Sequence, residues 1–205
     1  MKKMFIIALE GLDKSGKATQ AKLLTEALRE KGLKVEQSEF HRYDTPTGEL
    51  IAKWLRKEYP VSQATIELIM AADKHAQQEY FNELEAAGVD VLILDRYTLS
   101  QFVYGIVNEM PYDWCEKLQE LLRKPDMDIV IEIPPELSME RKGKHNGGVN
   151  DRYESDLNLL HQVSFAYRIF RRKDHPIIDG NAPIEDVHEE IKKEVIARLK
   201  DEDIL

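Results

Sequence analysis

The stretch Gly11-Leu-Asp-Lys-Ser-Gly-Lys-Ala-Thr19 constrains this chain more than any other. It follows an apolar run, Met4 to Leu9, that reads as a buried strand. It precedes Gln20 to Lys31, where Ala21, Leu24, Ala27 and Leu28 recur at helical spacing. A strand, a glycine loop ending in Gly16-Lys17, then a helix is the context of a phosphate-binding loop. Glycines let backbone N–H groups wrap a phosphate, and the helix N-terminus adds the positive end of its dipole. Lys17 is placed to reach the terminal phosphates of a nucleotide. Gly11, Ser15, Gly16, Lys17, Ala18 and Thr19 are therefore candidate nucleotide-binding residues. One position departs from the pattern: a Ser or Thr is expected directly after Gly-Lys, where its hydroxyl ligates magnesium, and here it is Ala18. Thr19 points about 100° away on a helix and does not take over that role. Either magnesium is held by phosphates, waters and carboxylates alone, or its binding is weakened.

The length of 205 residues suits one α/β domain with a full core. A charged fraction of 33% beside 42% hydrophobic residues is that of a soluble globular protein. Met1-Lys2-Lys3 leads straight into the first strand, which fits no signal peptide, and no run is long enough to span a membrane. The single cysteine, Cys115, cannot form an internal disulfide, so the chain reads as cytoplasmic. A net charge of −9 argues against a general nucleic-acid surface, whereas binding an anionic nucleotide needs only a local basic pocket.

Strand-like and helical runs alternate. Strands are expected at 33–40, 89–94, 129–133 and 176–179 besides the first. Helices are expected at 46–57, 62–87, 98–107, 112–123 and 152–173, with a last one marked by Ile184, Val187, Ile191, Val195 and Leu199. Five short apolar strands with helices between them predict a parallel sheet covered on both faces. Ligands bind such sheets beyond the carboxyl ends of the strands, so the glycine loop, Phe40 to Asp44 and Asp95-Arg96 should converge on one cleft.

Asp95 can hold water around magnesium, and the guanidinium of Arg96 can clamp a phosphate through two parallel hydrogen bonds. Arg42, at the end of the second strand, is a candidate for the phosphate of an acceptor. The polar, Gly-rich interruption from Arg141 to Glu154 carries cations that can close over a triphosphate as a lid, the alternative being a surface loop. The scattered histidines lack metal-ligand spacing.

Taken together, these residues resemble thymidylate kinase, a nucleoside-monophosphate kinase of the P-loop class. The resemblance runs in order through the chain. It comprises Glu10 to Gln20, Phe40 to Gly48, Ala71-Ala-Asp-Lys74, Asp95 to Ser100 with Tyr104, Pro134-Pro-Glu136, Asp151-Arg-Tyr-Glu154 and Ile178-Asp-Gly180. It implies an α/β P-loop NTPase fold with a short basic lid at about 141–154, magnesium, a homodimer, and transfer of the γ-phosphate of ATP to dTMP. It places Asp13 near the transferred phosphate and the sugar, Lys14 where some members put a catalytic arginine, and Arg96 on the acceptor phosphate. Tyr104 lies beside the sugar's 2′ position and Tyr153 over the base or sugar. Phe40 and Ser100 join the substrate residues, and Arg141 the ATP residues. The family usually has Phe and, four residues on, Arg for the base; here Met70 and Lys74 stand there. The pocket these imply suits a pyrimidine with a carbonyl, with thymine the first reading and uracil or a modified uracil the second. A nucleotide-binding module without transferase activity is the third, prompted by Ala18.

Overall fold

The computed structural model describes residues 3–142, 153 and 156–205, with the side chain of Lys142 excepted. Five parallel strands form one sheet: β1 (Phe5–Glu10), β2 (Val35–Glu39), β3 (Val91–Asp95), β4 (Met127–Glu132) and β5 (Ile177–Asp179), in the order β2-β3-β1-β4-β5. All six residues of β1 are buried. Their alternation splits them between two faces, as the period of two requires. Phe5, Ile7 and Leu9 pack against α1 (Lys17–Glu30) and the final helix, numbered α9 (Ile184–Asp201) below. Met4, Ile6 and Ala8 point the other way, toward Phe81, Leu92, Leu94 and Tyr97.

Between these lie α2 (Pro46–Leu55), α3 (Gln63–Ala76), α4 (Gln78–Ala86), α5 (Thr98–Val107), α6 (Tyr112–Leu118), α7 (Pro135–Lys142) and α8 (Leu157–Phe170). Ile51 and Trp54 of α2, Ile66 and Met70 of α3, Val103 of α5 and Val163 and Tyr167 of α8 share a further buried cluster above the sheet. That cluster holds the helices that wall one end of the cleft.

Several expected boundaries shift, each for a local reason. The helix expected over 62–87 breaks at Gln77. There Gln77 N–H turns back three residues to the Lys74 carbonyl at 3.2 Å, and the Gln78 side-chain amide occupies the same carbonyl at 2.9 Å. A side chain inserted into the helical ladder is a recognised cause of a kink. The helix expected to reach Arg123 stops at Leu118, because the buried Gln119 amide is drawn inward to the Thr98 carbonyl at 2.8 Å. The helix expected from Arg152 starts at Leu157, capped by the Asp156 carboxylate on the Leu159 N–H. Pro134-Pro135 does more than stop β4: Pro135 opens α7, a position where its missing N–H is no loss.

The glycine loop leaves β1 between β3 and β4, where the strand order reverses. Gly11 has φ +131°, and a Cβ there would lie 2.3 Å from the Ile131 carbonyl oxygen, so only glycine lets the loop pass that close to β4.

Candidate functional site

The carboxyl ends of β1, β2 and β3 open onto a cleft of about 780 Å³. Asp13 through Gln20 form its floor, with Phe40, Asp95, Arg96 and Arg141 on its walls. Gly16 caps α1 in the left-handed region at φ 99°, which turns the chain so that the first N–H groups of the helix face the loop. Lys17 is buried, and its ammonium donates to the carbonyls of Leu12 at 2.8 Å and Gly11 at 3.3 Å. Burial, then the charge of Arg96, pulls its pKa down to about 8 against the opposing carboxylates of Asp95, Asp13 and Glu10. Ser15 Oγ is buried without a hydrogen-bond partner among the described residues, a free donor inside the loop. Ala18 and Thr19 are exposed on the cleft floor. Arg141, at the end of α7, donates to the Lys14 carbonyl at 3.2 Å, which ties the start of the expected lid to the loop. Residues 143–152 and 154 of that lid lie outside the described residues.

A second, smaller pocket of about 110 Å³ adjoins the cleft and shares Asp13, Phe40, Tyr43 and Arg96 with it. The hinge between the two is Arg96. It follows β3 directly, with φ at +66°, and its Nη2 donates to Asp13 Oδ1 at 2.7 Å. Nη1 donates to Ser100 Oγ at 3.0 Å and Tyr167 Oη at 3.2 Å, and the guanidinium carbon lies 5.8 Å from the Tyr104 ring centre. Burial works against the charge on Arg96, but Asp13 foremost outweighs it and holds its pKa well above the ordinary value. Burial likewise pushes Asp13 up, and Arg96 and then Lys17 reverse this, bringing it down to about 2. The pair is therefore charged wherever the protein works.

The walls of the small pocket are Phe40, Met70, Lys74, Tyr104 and Tyr153, all reached in the sequence reading, together with Gln101, which was not. Lys74 is almost wholly buried, 5.5 Å above the Phe40 ring, and burial lowers its pKa to about 8. The Tyr104 and Tyr153 rings lie 4.9 Å apart. Gln101 donates its amide N–H to the Glu67 carbonyl at 3.0 Å, and its Oε1 is a buried acceptor without a partner among the described residues. Ser100 lines the same pocket, with its hydroxyl bonded to Arg96 and Tyr167 and engaged by Glu10.

Arg42 is the candidate that the fold does not bring to these walls. Its guanidinium grips Asp44 through two bonds of 3.1 and 3.0 Å, with Gln77 Oε1 at 3.4 Å. Asp73, which carries no role in the sequence pattern, shapes this loop instead. It is fully buried and accepts from the Arg42 N–H, His41 Nδ1, Thr45 Oγ1 and Thr47 Oγ1 at 2.8–3.2 Å. Burial pushes its pKa up, and the bonds from His41 and Thr47 outweigh that.

Among the described residues, no three or more of His, Cys, Asp and Glu gather as a metal-binding group. Asp13 and Asp95 both line the cleft beside Lys17. Two carboxylates facing a phosphate site fit magnesium, which keeps several waters and takes only one or two carboxylates besides the phosphates.

A profile of the family described as thymidylate kinase matches residues 9–191. The chain belongs to the thymidylate kinase family. Its sequence is 32% identical over 197 residues to a thymidylate kinase from Plasmodium falciparum (isolate 3D7), covering 95% of this chain and 90% of that protein. It is 29% identical over 194 residues to human thymidylate kinase, covering 91% and 87%. The fold superimposes on a solved thymidylate kinase structure from Candida albicans with a TM-score of 0.81 at 24% identity, covering 98% of this chain and 94% of that one. The five-stranded parallel sheet flanked by helices is thus the P-loop NTPase fold of the thymidylate kinases.

Proposed function

We propose that this chain, as a single catalytic domain, transfers the γ-phosphate of ATP to dTMP, giving dTDP and ADP. Beyond family membership, the observation that carries this is the pairing of two cavities across Arg96 and Asp13: a broad phosphate-loop cleft and a small, mostly apolar slot. A module that only binds ATP has no need of the second. Phosphoryl transfer asks for positioning and charge neutralisation rather than covalent chemistry. The loop amides, Lys17, Lys14 and Arg141 hold the triphosphate. Arg96 holds the acceptor phosphate in line with it, and Asp13, locked to Arg96, meets the sugar. Asp13 and Asp95 would hold magnesium or its waters, and the ion would supply neutralisation of the phosphate charge.

The small slot fits a pyrimidine. Gln101 Oε1 offers an acceptor for an imide N–H, Lys74 a donor for a ring carbonyl, and Met70 a soft surface for the base face. Tyr104 and Tyr153 close the sugar side. A thioether is a less rigid platform than a ring, and one buried methyl is worth only about 1–3 kcal/mol. Coupled measurement of ADP release across a panel of monophosphates should therefore give dTMP as best substrate, measurable turnover of dUMP, and little of dAMP or dGMP. A purine monophosphate as best substrate would sink the pyrimidine reading.

Ala18 lines the cleft where a hydroxyl would face the phosphates. Restoring it with Ala18→Ser should lower the magnesium concentration for half-maximal rate, by about 10- to 100-fold, the scale of a supporting group at a metal site. An unchanged titration would show that phosphates, waters and carboxylates already suffice. We also read the enzyme as a cytoplasmic homodimer. Exposed Phe165 and Ile169, four apart on α8, and Leu68 on α3 offer apolar surface for a second copy, and light scattering in solution measures the mass. None of the described helices is long and apolar enough to cross a membrane.

A further inference from the structure

Glu10, the last residue of β1, is a carboxyl with no exposed surface and no part in the reaction as described above. Burying a carboxyl costs free energy unless its oxygens are fully engaged. Here both are. Oε1 accepts the Tyr97 N–H at 2.9 Å, and Oε2 accepts the Ser100 hydroxyl. Ser100 Oγ lies 2.8 Å from the Tyr167 hydroxyl, and both oxygens accept from Nη1 of Arg96.

Burial raises the pKa of Glu10 to about 7, and above that pH, where Glu10 is a carboxylate, counting protons fixes the direction of this chain. A hydroxyl has one proton to give. That of Ser100 goes to Glu10, so the bond between Ser100 and Tyr167 uses the proton of Tyr167. The lone pairs of both oxygens are then turned toward Arg96, whose Nη1 has two protons to place. The bonds run in one sense, from Arg96 through Tyr167 and Ser100 to the carboxylate. With a donor at position 10, Ser100 has to turn its proton toward Tyr167. The Tyr167 proton then faces a guanidinium, which accepts nothing.

We propose that Glu10 is a positioning residue for phosphoryl transfer: through Ser100 and Tyr167 it orients the two hydroxyl oxygens that hold the Nη1 edge of Arg96. Asp13 holds the Nη2 edge at 2.7 Å, so the guanidinium plane is fixed from both sides before an acceptor phosphate meets it. The inference rests on the reading of Arg96 as the acceptor-phosphate residue. It assigns Tyr167, on α8 and 71 residues away in sequence, a place in the same device.

The test uses the full chain, with initial rates measured against dTMP at saturating ATP and against ATP at saturating dTMP. Glu10→Gln keeps the size of the side chain and an acceptor for Tyr97, but presents a donor to Ser100. It should lower kcat/KM for dTMP by about 10- to 100-fold, the scale of a small misplacement of a binding group, while KM for ATP stays within about twofold. Tyr167→Phe should show the same split. The double variant should be no worse than the more impaired single one, since both break one chain. A folded Glu10→Gln enzyme with unchanged kcat/KM for dTMP, a KM for ATP shifted by more than about twofold, or additive losses in the double variant would overturn the proposal. If Glu10→Gln fails to fold, the split shown by Tyr167→Phe alone decides. Arg96→Lys separates the two levels. Normal dTMP kinetics in that variant would overturn the acceptor-site reading itself. Impaired Arg96→Lys beside normal Glu10→Gln overturns only the role of Glu10.

Discussion

Replacing Lys17 with alanine should lower kcat by a factor on the order of 10³ while the protein stays folded. The ammonium sits at the base of the cleft, held by the Leu12 and Gly11 carbonyls, where a triphosphate lying along the loop meets it. Charge spreads over the γ-phosphoryl oxygens in the transition state, and a cation in a water-poor site is worth far more there than in bulk solvent. The fold should tolerate the change. The folded pKa of Lys17, about 8, lies below the ordinary 10.5, so the charged form is favoured less in the fold than in the unfolded chain. Removing it relieves that opposition, and thermal unfolding should shift little. The same number sets a pH dependence. Phosphates bind the ammonium form and raise its pKa, so ATP affinity should be level below pH 8 and weaken as pH rises through about 8. Titration calorimetry across that range measures it, and Lys17→Ala should flatten the slope. A folded Lys17→Ala enzyme with near-normal turnover would rule out the phosphate-loop mechanism.

Arg96→Lys should be nearly as severe, and selective. The guanidinium serves Asp13, Ser100 and Tyr167 at once from two of its nitrogens. Lysine keeps the charge but lacks the planar fork, so it cannot hold those partners and clamp a phosphate bidentately. The expected result is a fall in kcat/KM for dTMP of about 10²–10³, with KM for ATP nearly unchanged. Asp13 should also titrate higher, since the hydrogen bond from Arg96 Nη2 that helps hold it near 2 is lost. Steady-state kinetics with each substrate varied in turn distinguishes this from a general loss of activity.

The glycine loop and the alternation of strands and helices were enough to place the sheet, because each rests on local pattern. Arg96, Asp95 and Phe40 fall at the cleft because strand ends in a parallel sheet share one edge. Met70 and Lys74 reach one pocket because residues four apart share a helix face. Gln101, Glu10 and Asp73 were not legible as functional. Each is a polar residue whose worth depends on partners far off in sequence, such as Glu67, Ser100 and the loop after β2. The break at Gln77 depends on one side-chain bond, which no periodicity reveals. Arg42 is a candidate for the acceptor phosphate by its place at a strand end, yet its guanidinium grips Asp44, only two residues away.

Asp73 and Lys74 are neighbours on α3. One is bonded to the loop that follows Phe40, and the other faces the base slot. Burial and then Lys74 pull the pKa of His41 down to about 4, so its imidazole stays neutral and donates to Asp73 through Nδ1. The loop and the helix therefore behave as a single transplantable unit. A graft of residues 40–48 from a relative with another residue at position 73 would arrive without its template, and the base slot would lose its shape with Met70, Lys74, Gln101 and Tyr104 all still present.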